Sequence, residues 1–292
     1  MCGIGAFQLK EGDGDPRRLA QNLLRGLIVR GRDASGVAWH SDSDGETYIQ
    51  KHNCDGVQLA KSLDKEVGRT AIVHTRYATL GSPHKYENNH PIDVNGVVGV
   101  HNGHINNHDE LFKKVRGYDR KGAVDSEAIF AYLRYGPAGR SLTDKLSDLR
   151  GAAAVFWLQT NSPKKYLHVA RLTSSPLCYG RTPRGSVIFA STPAILTTAV
   201  KHSDMRIGKI TELDEGVYLR FENGELTRTL DVPDCRPQPT LFSTTGFTPH
   251  PRPSTAVGTA VGGQYRDGKW LTRLDLLMEE WEQSEFEARR DK

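Results

Sequence analysis

Short apolar segments recur along the chain from Cys2 to about Val232, and a polar or glycine-rich turn follows most of them. Their length and spacing are typical of buried β-strands. The predicted strands cover Gly3–Leu9, Gly36–His40, Thr47–Lys51, Thr70–His74, Val97–His101, Gly151–Leu158, Tyr166–Leu172, Ser186–Ala190 and Gly216–Phe221.

A smaller number of segments have helical periodicity. Asp15 and Pro16 are typical of a helix N-cap and first turn, and leucines then recur every four residues. Asp125–Leu133 and Pro193–Val200 are the other predicted helices. Because the later strands follow one another through turns with few crossover helices, the pattern favours an α+β fold of antiparallel sheets packed face to face, with helices outside.

The composition changes after Asp231. Residues 233–268 contain six prolines with many Ser, Thr and Gly residues, which indicates a linker or surface segment. In residues 269–292, Trp270, Leu274, Leu277 and Trp281 fall at helical spacing and predict a C-terminal amphipathic helix. Such a helix either packs on its own domain or docks a partner.

Overall composition narrows the class of protein. The 292 residues are 37% hydrophobic and 25% charged, with a net charge of +4 and no dense Lys/Arg run, so nucleic-acid binding is not expected. No window approaches 18 apolar residues, so no membrane span is expected. The four cysteines are widely spaced, without a zinc-type cluster. We therefore expect a cytoplasmic protein with reduced thiols, no metal and no cofactor.

Cys2 becomes the first residue if Met1 is removed. A thiol and a free α-amino group then share one residue, and their ordinary pKa values are close enough for proton exchange near neutral pH. N-terminal nucleophile enzymes use this arrangement, in which the nucleophile carries its own base. The alternative is that Cys2 is a small buried hydrophobic residue.

Four polar segments lie at element ends and are difficult to explain as packing. They are Arg30–Gly36, His74–Thr79, His101–Asn107 and Val124–Glu127. Taken singly, each has a structural explanation: a surface ion pair in the first, a tight turn at Asn102-Gly103, and an N-cap at Asp125.

Together with Cys2, these segments resemble the class II glutamine amidotransferases. The resemblance runs from Cys2 to about Phe221, through Cys-Gly-Ile, Arg-Gly-x-Asp-x-x-Gly, His-Thr-Arg-Tyr-Ala-Thr, His-Asn-Gly and the Asp125 helix. It implies a four-layer αββα sandwich of two antiparallel sheets, with residues 1–232 as the amidotransferase domain.

The resemblance also implies catalytic roles. Cys2 matches the nucleophile that attacks the side-chain amide of glutamine. Asn102 and Gly103 match the oxyanion hole, where fixed N–H donors meet the developing negative charge. Arg30 matches an arginine that supports the N-terminal residue.

Other matches concern the substrate. Arg76 matches the residue that binds the α-carboxylate, for which a guanidinium fork is well shaped. Asp125 matches the partner of the α-ammonium group. Tyr77 and Thr79 match positions in the pocket wall.

The implied activity is hydrolysis of L-glutamine to glutamate and ammonia through a Cys2 thioester. About sixty residues follow the domain, too few for an acceptor domain, so the expectation is a stand-alone domain that supplies ammonia to a separately encoded synthase. We expect no propeptide before Cys2, so that loss of one methionine would mature it. Two alternatives stay open: another N-terminal-cysteine amidohydrolase acting on acyl amides, or a non-enzymatic regulatory protein that keeps the fold.

Overall fold

The structure is a computed structural model, which describes residues 1–160 and 162–233, the backbone of 263–266 and 269–272, and residues 278 and 279. The chain divides into two compact units, Met1–Arg236 and Pro237–Lys292. Among the described residues, no helix has both the length and the apolar character needed to cross a bilayer.

The first unit contains the predicted strands and several more. They are β1 (Gly3–Gln8), β2 (Ala34–His40), β3 (Thr47–His52), β4 (Thr70–Arg76), β5 (Ile92–Val94), β6 (Val97–Ile105), β7 (Gly151–Gln159), β8 (Tyr166–Thr173), β9 (Cys178–Arg181), β10 (Val187–Ala190), β11 (Thr211–Glu212), β12 (Val217–Glu222) and β13 (Glu225–Asp231). The helices are α1 (Pro16–Leu27), α2 (Gly56–Ser62), α3 (His108–Lys114), α4 (Ser126–Tyr135), α5 (Leu142–Ser147) and α6 (Pro193–His202).

These strands form two antiparallel sheets. The first has seven strands in the order β11-β9-β10-β1-β4-β2-β3, and the second has six in the order β13-β12-β8-β7-β6-β5. An apolar cluster between the sheets includes Ile4 and Ala6 of β1, which meet residues such as Val100 and Phe156 from the second sheet. Alternate residues of one strand therefore fill the inter-sheet core.

Helices cover the outer face of each sheet. On the first sheet, Asp15 caps α1 by accepting from two backbone N–H groups, as its sequence predicts. Gly3 and Gly5 let α1 approach closely, because an added Cβ at either position would meet a leucine of the helix at 3.0–3.4 Å. Helices α3, α4 and α5 form a second apolar cluster with the other sheet. The predicted four-layer αββα architecture is confirmed.

The second unit corrects one prediction. Lys269–Thr272 is a strand (β15) paired antiparallel with Gly263–Arg266 (β14), whereas the sequence pattern predicts a helix beginning at 269 and a linker through 268. The sequence carries the missed signal, since Asp267-Gly268 lies between the paired ends and is a favoured two-residue hairpin connection. Residues 278 and 279 are helical, and the rest of the predicted helix lies outside the described residues.

Candidate active site

The first strand places Cys2 at one end of the seven-stranded sheet. Cys2 directly precedes β1, and the pairing of Gly3 with Thr75 of β4 brings it beside Arg76. The half-buried thiol donates to the Tyr77 carbonyl with a sulfur–oxygen distance of 3.7 Å. Backbone pairing therefore fixes the sulfur at the point where β4 passes into the segment that follows it.

Arg30 supports the same residue from the end of α1. Its Nε–H donates to the Cys2 carbonyl at 2.8 Å, which leaves the thiol untouched. Burial raises the pKa of the Cys2 thiol, with a smaller contribution from Asp125, while the hydrogen bond to Tyr77, the ammonium group of Met1 and Arg76 act in the opposite direction. A thiol whose pKa is raised needs a base to take its proton before it can attack.

The Arg-Gly-x-Asp segment holds the end of β4. The Asp33 N–H donates to the Arg76 carbonyl at 3.0 Å, and the Asp33 carboxylate accepts from the Ala78 N–H at 2.7 Å. Gly31 has no room for a side chain, because an added Cβ would lie 2.4 Å from the Arg76 carbonyl carbon. The motif therefore positions the segment 77–81, which we name the pocket segment.

Arg76 is buried and its guanidinium is anchored on one side. It donates to Asn89 Oδ1 at 2.8 Å, to the Gly81 carbonyl at 2.7 Å and to the Leu80 carbonyl. These bonds use three of the five N–H donors of an arginine, and the other two bind no other described residue. Burial lowers the pKa of Arg76, and Cys2 and Asp125 lie close enough to influence it.

The pocket segment itself is open. Tyr77 is 54% exposed, Thr79 is also exposed, and Leu80 is at the surface. The backbone of the same segment carries the carbonyls that accept from the Cys2 thiol and from Arg76.

Strand β6 leaves one edge uncovered where Asn102 and Gly103 lie. The short β5 pairs with β6 only from Val97 to Gly99, whereas β7 covers the whole opposite edge. The His101 carbonyl points away from β7 at this uncovered edge and accepts a hydrogen bond from His74 Nε2–H at 3.2 Å. Because strand residues alternate in direction, the Gly103 N–H points from this same edge.

Asn102 and Gly103 are suited to meet a ligand there. Asn102 is 3% exposed, and its side-chain amide makes no hydrogen bond within the described residues. Gly103 has a φ of +147°, and an added Cβ would lie 1.9 Å from the Ala152 carbonyl oxygen, so only glycine fits. Residues 102 and 103 thus supply two N–H donor groups, a side-chain amide and a backbone N–H, that have no hydrogen-bond partner among the described residues.

Asp125 lies at the N-terminus of α4 but does not cap it. Its carboxylate instead accepts from the Ile105 N–H of β6 at 2.6 Å, and His104 Nδ1 lies 3.5 Å away. Asp125 is buried, and it influences the pKa of Cys2 and Arg76. The structure therefore brings the carboxylate to the site from the uncovered edge of the second sheet.

Of the predicted site residues, Arg30 binds the Cys2 carbonyl, the Tyr77 carbonyl accepts from the Cys2 thiol, and Arg76 and Asp125 lie close enough to influence the pKa of that thiol. Asn102 and Gly103 lie together on β6, and Thr79 lies in the exposed pocket segment. Sequence reasoning missed the supporting contacts of Asp33, Asn89 and His74, although each lies in or beside a polar segment that the sequence displays. Among the described residues, no group of three or more His, Cys, Asp or Glu side chains is arranged to hold a metal ion.

Comparison with known proteins finds a matching family model and relatives of known function. Residues 74–198 match the family model described as a glutamine amidotransferase domain. The glutamine–fructose-6-phosphate aminotransferase of Salmonella paratyphi A is 30% identical over 233 residues, which are 76% of this chain and 37% of that protein. The enzyme of the same name from Clostridium acetobutylicum is 32% identical over 207 residues, 67% of this chain and 32% of that protein. The matched part of the chain thus spans about a third of the length of these relatives.

Solved structures agree on the fold. The glutamine phosphoribosylpyrophosphate amidotransferase of B. subtilis matches with a TM-score of 0.63 at 19% identity, covering 80% of this chain and 49% of that one. A structure described as the allosteric regulatory enzyme of purine biosynthesis matches with a TM-score of 0.63 at 20% identity. With its ordered motifs, its αββα layers and these matches, the chain belongs to the class II glutamine amidotransferases and carries their N-terminal nucleophile domain.

Proposed function

We propose that this protein hydrolyses L-glutamine to glutamate and ammonia, with Cys2 as nucleophile. Removal of Met1 frees the Cys2 α-amino group, which takes the thiol proton. The thiolate attacks the side-chain amide carbon of glutamine and forms a carbon–sulfur bond. Asn102 and Gly103 donate N–H groups to the oxygen that becomes negative, and Arg30 holds the Cys2 backbone.

The second half of the reaction releases both products. The amide nitrogen takes the proton from the α-ammonium group and leaves as ammonia when the carbon–nitrogen bond breaks. Water then attacks the thioester and gives its proton to the α-amino group. Breaking the carbon–sulfur bond releases glutamate and restores the thiol.

One observation carries the choice of a free amino acid as substrate. A buried cation, Arg76, and a buried anion, Asp125, both lie within electrostatic reach of the Cys2 sulfur. The cation is complementary to the α-carboxylate of an amino acid, and the anion is complementary to its α-ammonium group. An acyl amide would instead favour an apolar wall. Tyr77 and Thr79 of the exposed pocket segment would line the wall beside the bound side chain.

We further propose that a separately encoded acceptor enzyme consumes the ammonia. The matched region covers 37% of the Salmonella aminotransferase, so the remainder of that protein has no counterpart in the alignment. Measuring ammonia and glutamate released by the purified full chain tests the first half of this idea. Equal amounts support release to an external acceptor, whereas a shortfall of ammonia would indicate an acceptor within the chain.

The decisive experiment labels the nucleophile. The full chain, with its N-terminus defined by intact mass, is incubated with diazo-oxo-norleucine, a glutamine mimic that alkylates an activated nucleophile. We expect modification at Cys2 and protection by glutamine. Cys2→Ala should abolish labelling and glutamate production, while Cys54→Ala, which removes another half-buried thiol, should retain both. Labelling confined to Cys54, Cys178 or Cys235, or faster turnover of acyl amides than of glutamine, would overturn the proposal.

A further inference from the structure

The anchored side of the Arg76 guanidinium meets a residue outside the family motifs quoted above. Asn89 accepts from Arg76 through Oδ1 at 2.8 Å, and Lys51 in turn donates to the Asn89 carbonyl at 2.7 Å. We propose that Asn89 positions Arg76 for the substrate carboxylate and that Lys51 fixes Asn89. This inference rests on the proposed function and deepens it, because it concerns affinity for the α-carboxylate end of the substrate.

Asn89 joins Arg76 to the far end of the loop that follows β4. It is 3% exposed, and its Nδ2–H donates to the Pro83 carbonyl at 2.6 Å. Both ends of the amide are therefore occupied, which fixes its orientation and aims the oxygen at the guanidinium. An arginine fork binds a carboxylate well only when its plane is held, because the paired hydrogen bonds are directional.

Lys51 reaches this point from β3, in the edge strand of the first sheet. The buried ammonium donates to two backbone carbonyls, Asn89 at 2.7 Å and Pro91 at 2.9 Å, and lies 4.1 Å from the centre of the Tyr86 ring. A buried charge with this many partners is a rigid clamp, since removing it would leave two carbonyls unsatisfied. Lys51 therefore fixes the backbone on either side of His90.

The contacts predict what happens when Asn89 is lost. Arg76 would keep its bonds to the Leu80 and Gly81 carbonyls but lose the restraint on its other nitrogen. The guanidinium could then turn toward the pocket segment, and the fork would no longer face the substrate as a plane. Cys2, Asn102 and Gly103 make no hydrogen bond to Asn89 or Lys51 within the described residues, so the reactivity of the thiol should be unchanged.

Inactivation kinetics separate these effects. For Asn89→Ala in the full chain, we expect the KI for diazo-oxo-norleucine to rise about tenfold, the loss typical of a hydrogen bond to a charged group, with a maximal inactivation rate near that of wild type. Alkylation of Cys2 by iodoacetamide, which has no α-carboxylate, should proceed at the wild-type rate. The KM for glutamine should rise with KI.

Asn88→Ala is the matched control. Asn88 is similarly buried and also donates to a carbonyl of the same loop, Ser82 at 2.9 Å, but it makes no hydrogen bond to Arg76 within the described residues. A merely structural role for Asn89 predicts equal losses of affinity in the two variants when their thermal stabilities are equal. The proposal requires the larger loss in Asn89→Ala.

Further substitutions at Asn89 and Lys51 test whether Lys51 acts through Asn89 on Arg76. Asn89→Asp keeps an oxygen beside Arg76 but adds a negative charge that competes with the substrate carboxylate, so its KI should exceed that of Asn89→Ala. Lys51→Met should raise KI, and Lys51→Arg should restore it in part. Unchanged KI in folded Asn89→Ala and Asn89→Asp proteins would overturn this inference while leaving the proposed function intact. Failure of the wild-type chain to label at Cys2 would instead overturn the proposed function.

Discussion

The two halves of the site are built in different ways. Cys2, Asn102 and Gly103 are held by backbone pairing at the ends and edges of strands, which we call the strand side. The pocket segment 77–81 is held by individual side chains, chiefly Asp33 and Arg76, and Tyr77 and Thr79 are exposed. The difference teaches that the groups proposed for bond-making are the more firmly held ones, whereas the segment proposed to line the substrate pocket has fewer restraints.

This contrast predicts a division in kinetics. Changes on the strand side should lower kcat, because the developing oxyanion is met only in the transition state. Changes at the pocket segment should raise KM, because they act on the bound amino acid before and during reaction alike. Each prediction below tests whether this division holds, beginning with the largest effect.

Asn102→Ala should produce the largest kinetic defect short of losing Cys2. It removes one N–H donor from the uncovered edge of β6, where the amide makes no other hydrogen bond within the described residues. We expect kcat for glutamine to fall about 10²–10³-fold with little change in KM. Steady-state glutamate release measures both quantities, and thermal unfolding verifies the fold. A defect confined to KM would show that Asn102 acts in substrate binding and would contradict the proposed division.

Asp33→Ala should have a smaller effect, and that effect should be on KM rather than on kcat. It removes the carboxylate that accepts from the Ala78 N–H at 2.7 Å and so frees the pocket segment. Because Asp33 is exposed, we expect KM to rise only about threefold to tenfold, with kcat nearly unchanged. Asp33→Asn keeps an acceptor oxygen and is the matched control. A fall in kcat with constant KM in Asp33→Ala would contradict the division.

The sequence predicts the strand side better than the pocket segment for a physical reason. Apolar runs in the sequence predict strands such as Gly3–Gln8 and Val97–Ile105. The positions of the polar residues at the ends of these strands can then be inferred. That Gly103 lies on an uncovered edge depends on how short β5 is, which only the pairing of Ile92–Val94 reveals. Tertiary registry of this kind leaves no local pattern.

Two further features of the structure are not predicted from the sequence, for different reasons. Asn89 lies in the polar run Asn88-Asn89-His90-Pro91, where residue type alone does not show which amide meets Arg76. The sequence pattern does not predict the pairing of β14 with β15, because Trp270 and Leu271 also fit a helical period. The dipeptide Asp267-Gly268, however, favours a turn. Helical spacing over few apolar residues is therefore a weaker predictor than a two-residue turn between aromatic segments.

The smallest expected effect on turnover concerns two buried histidines, which also affect stability in acid. Burial lowers the pKa of His74 from 6.5 to about 3, and burial also lowers the pKa of His168 from 6.5 to about 3. The unfolded chain binds a proton at each site below pH 6.5 while the folded chain does not, so stability is complete above that value and falls toward pH 3. Each histidine should contribute a slope of up to about 1.4 kcal/mol per pH unit in this window.

Two matched variants separate acid stability from activity. His74 Nε2–H donates to the His101 carbonyl beside Asn102, whereas His168 bonds to the Tyr218 hydroxyl on the second sheet. His74→Gln and His168→Gln should each reduce the pH dependence of the free energy of unfolding by about one proton, measured by denaturant titration from pH 7 to 4. Only His74→Gln should also lower kcat, since it alters the strand that presents the donors. Equal kcat in both variants would show that the uncovered edge keeps its geometry without His74, and the positions of Asn102 and Gly103 would then be held by the backbone pairing of β6 with β7.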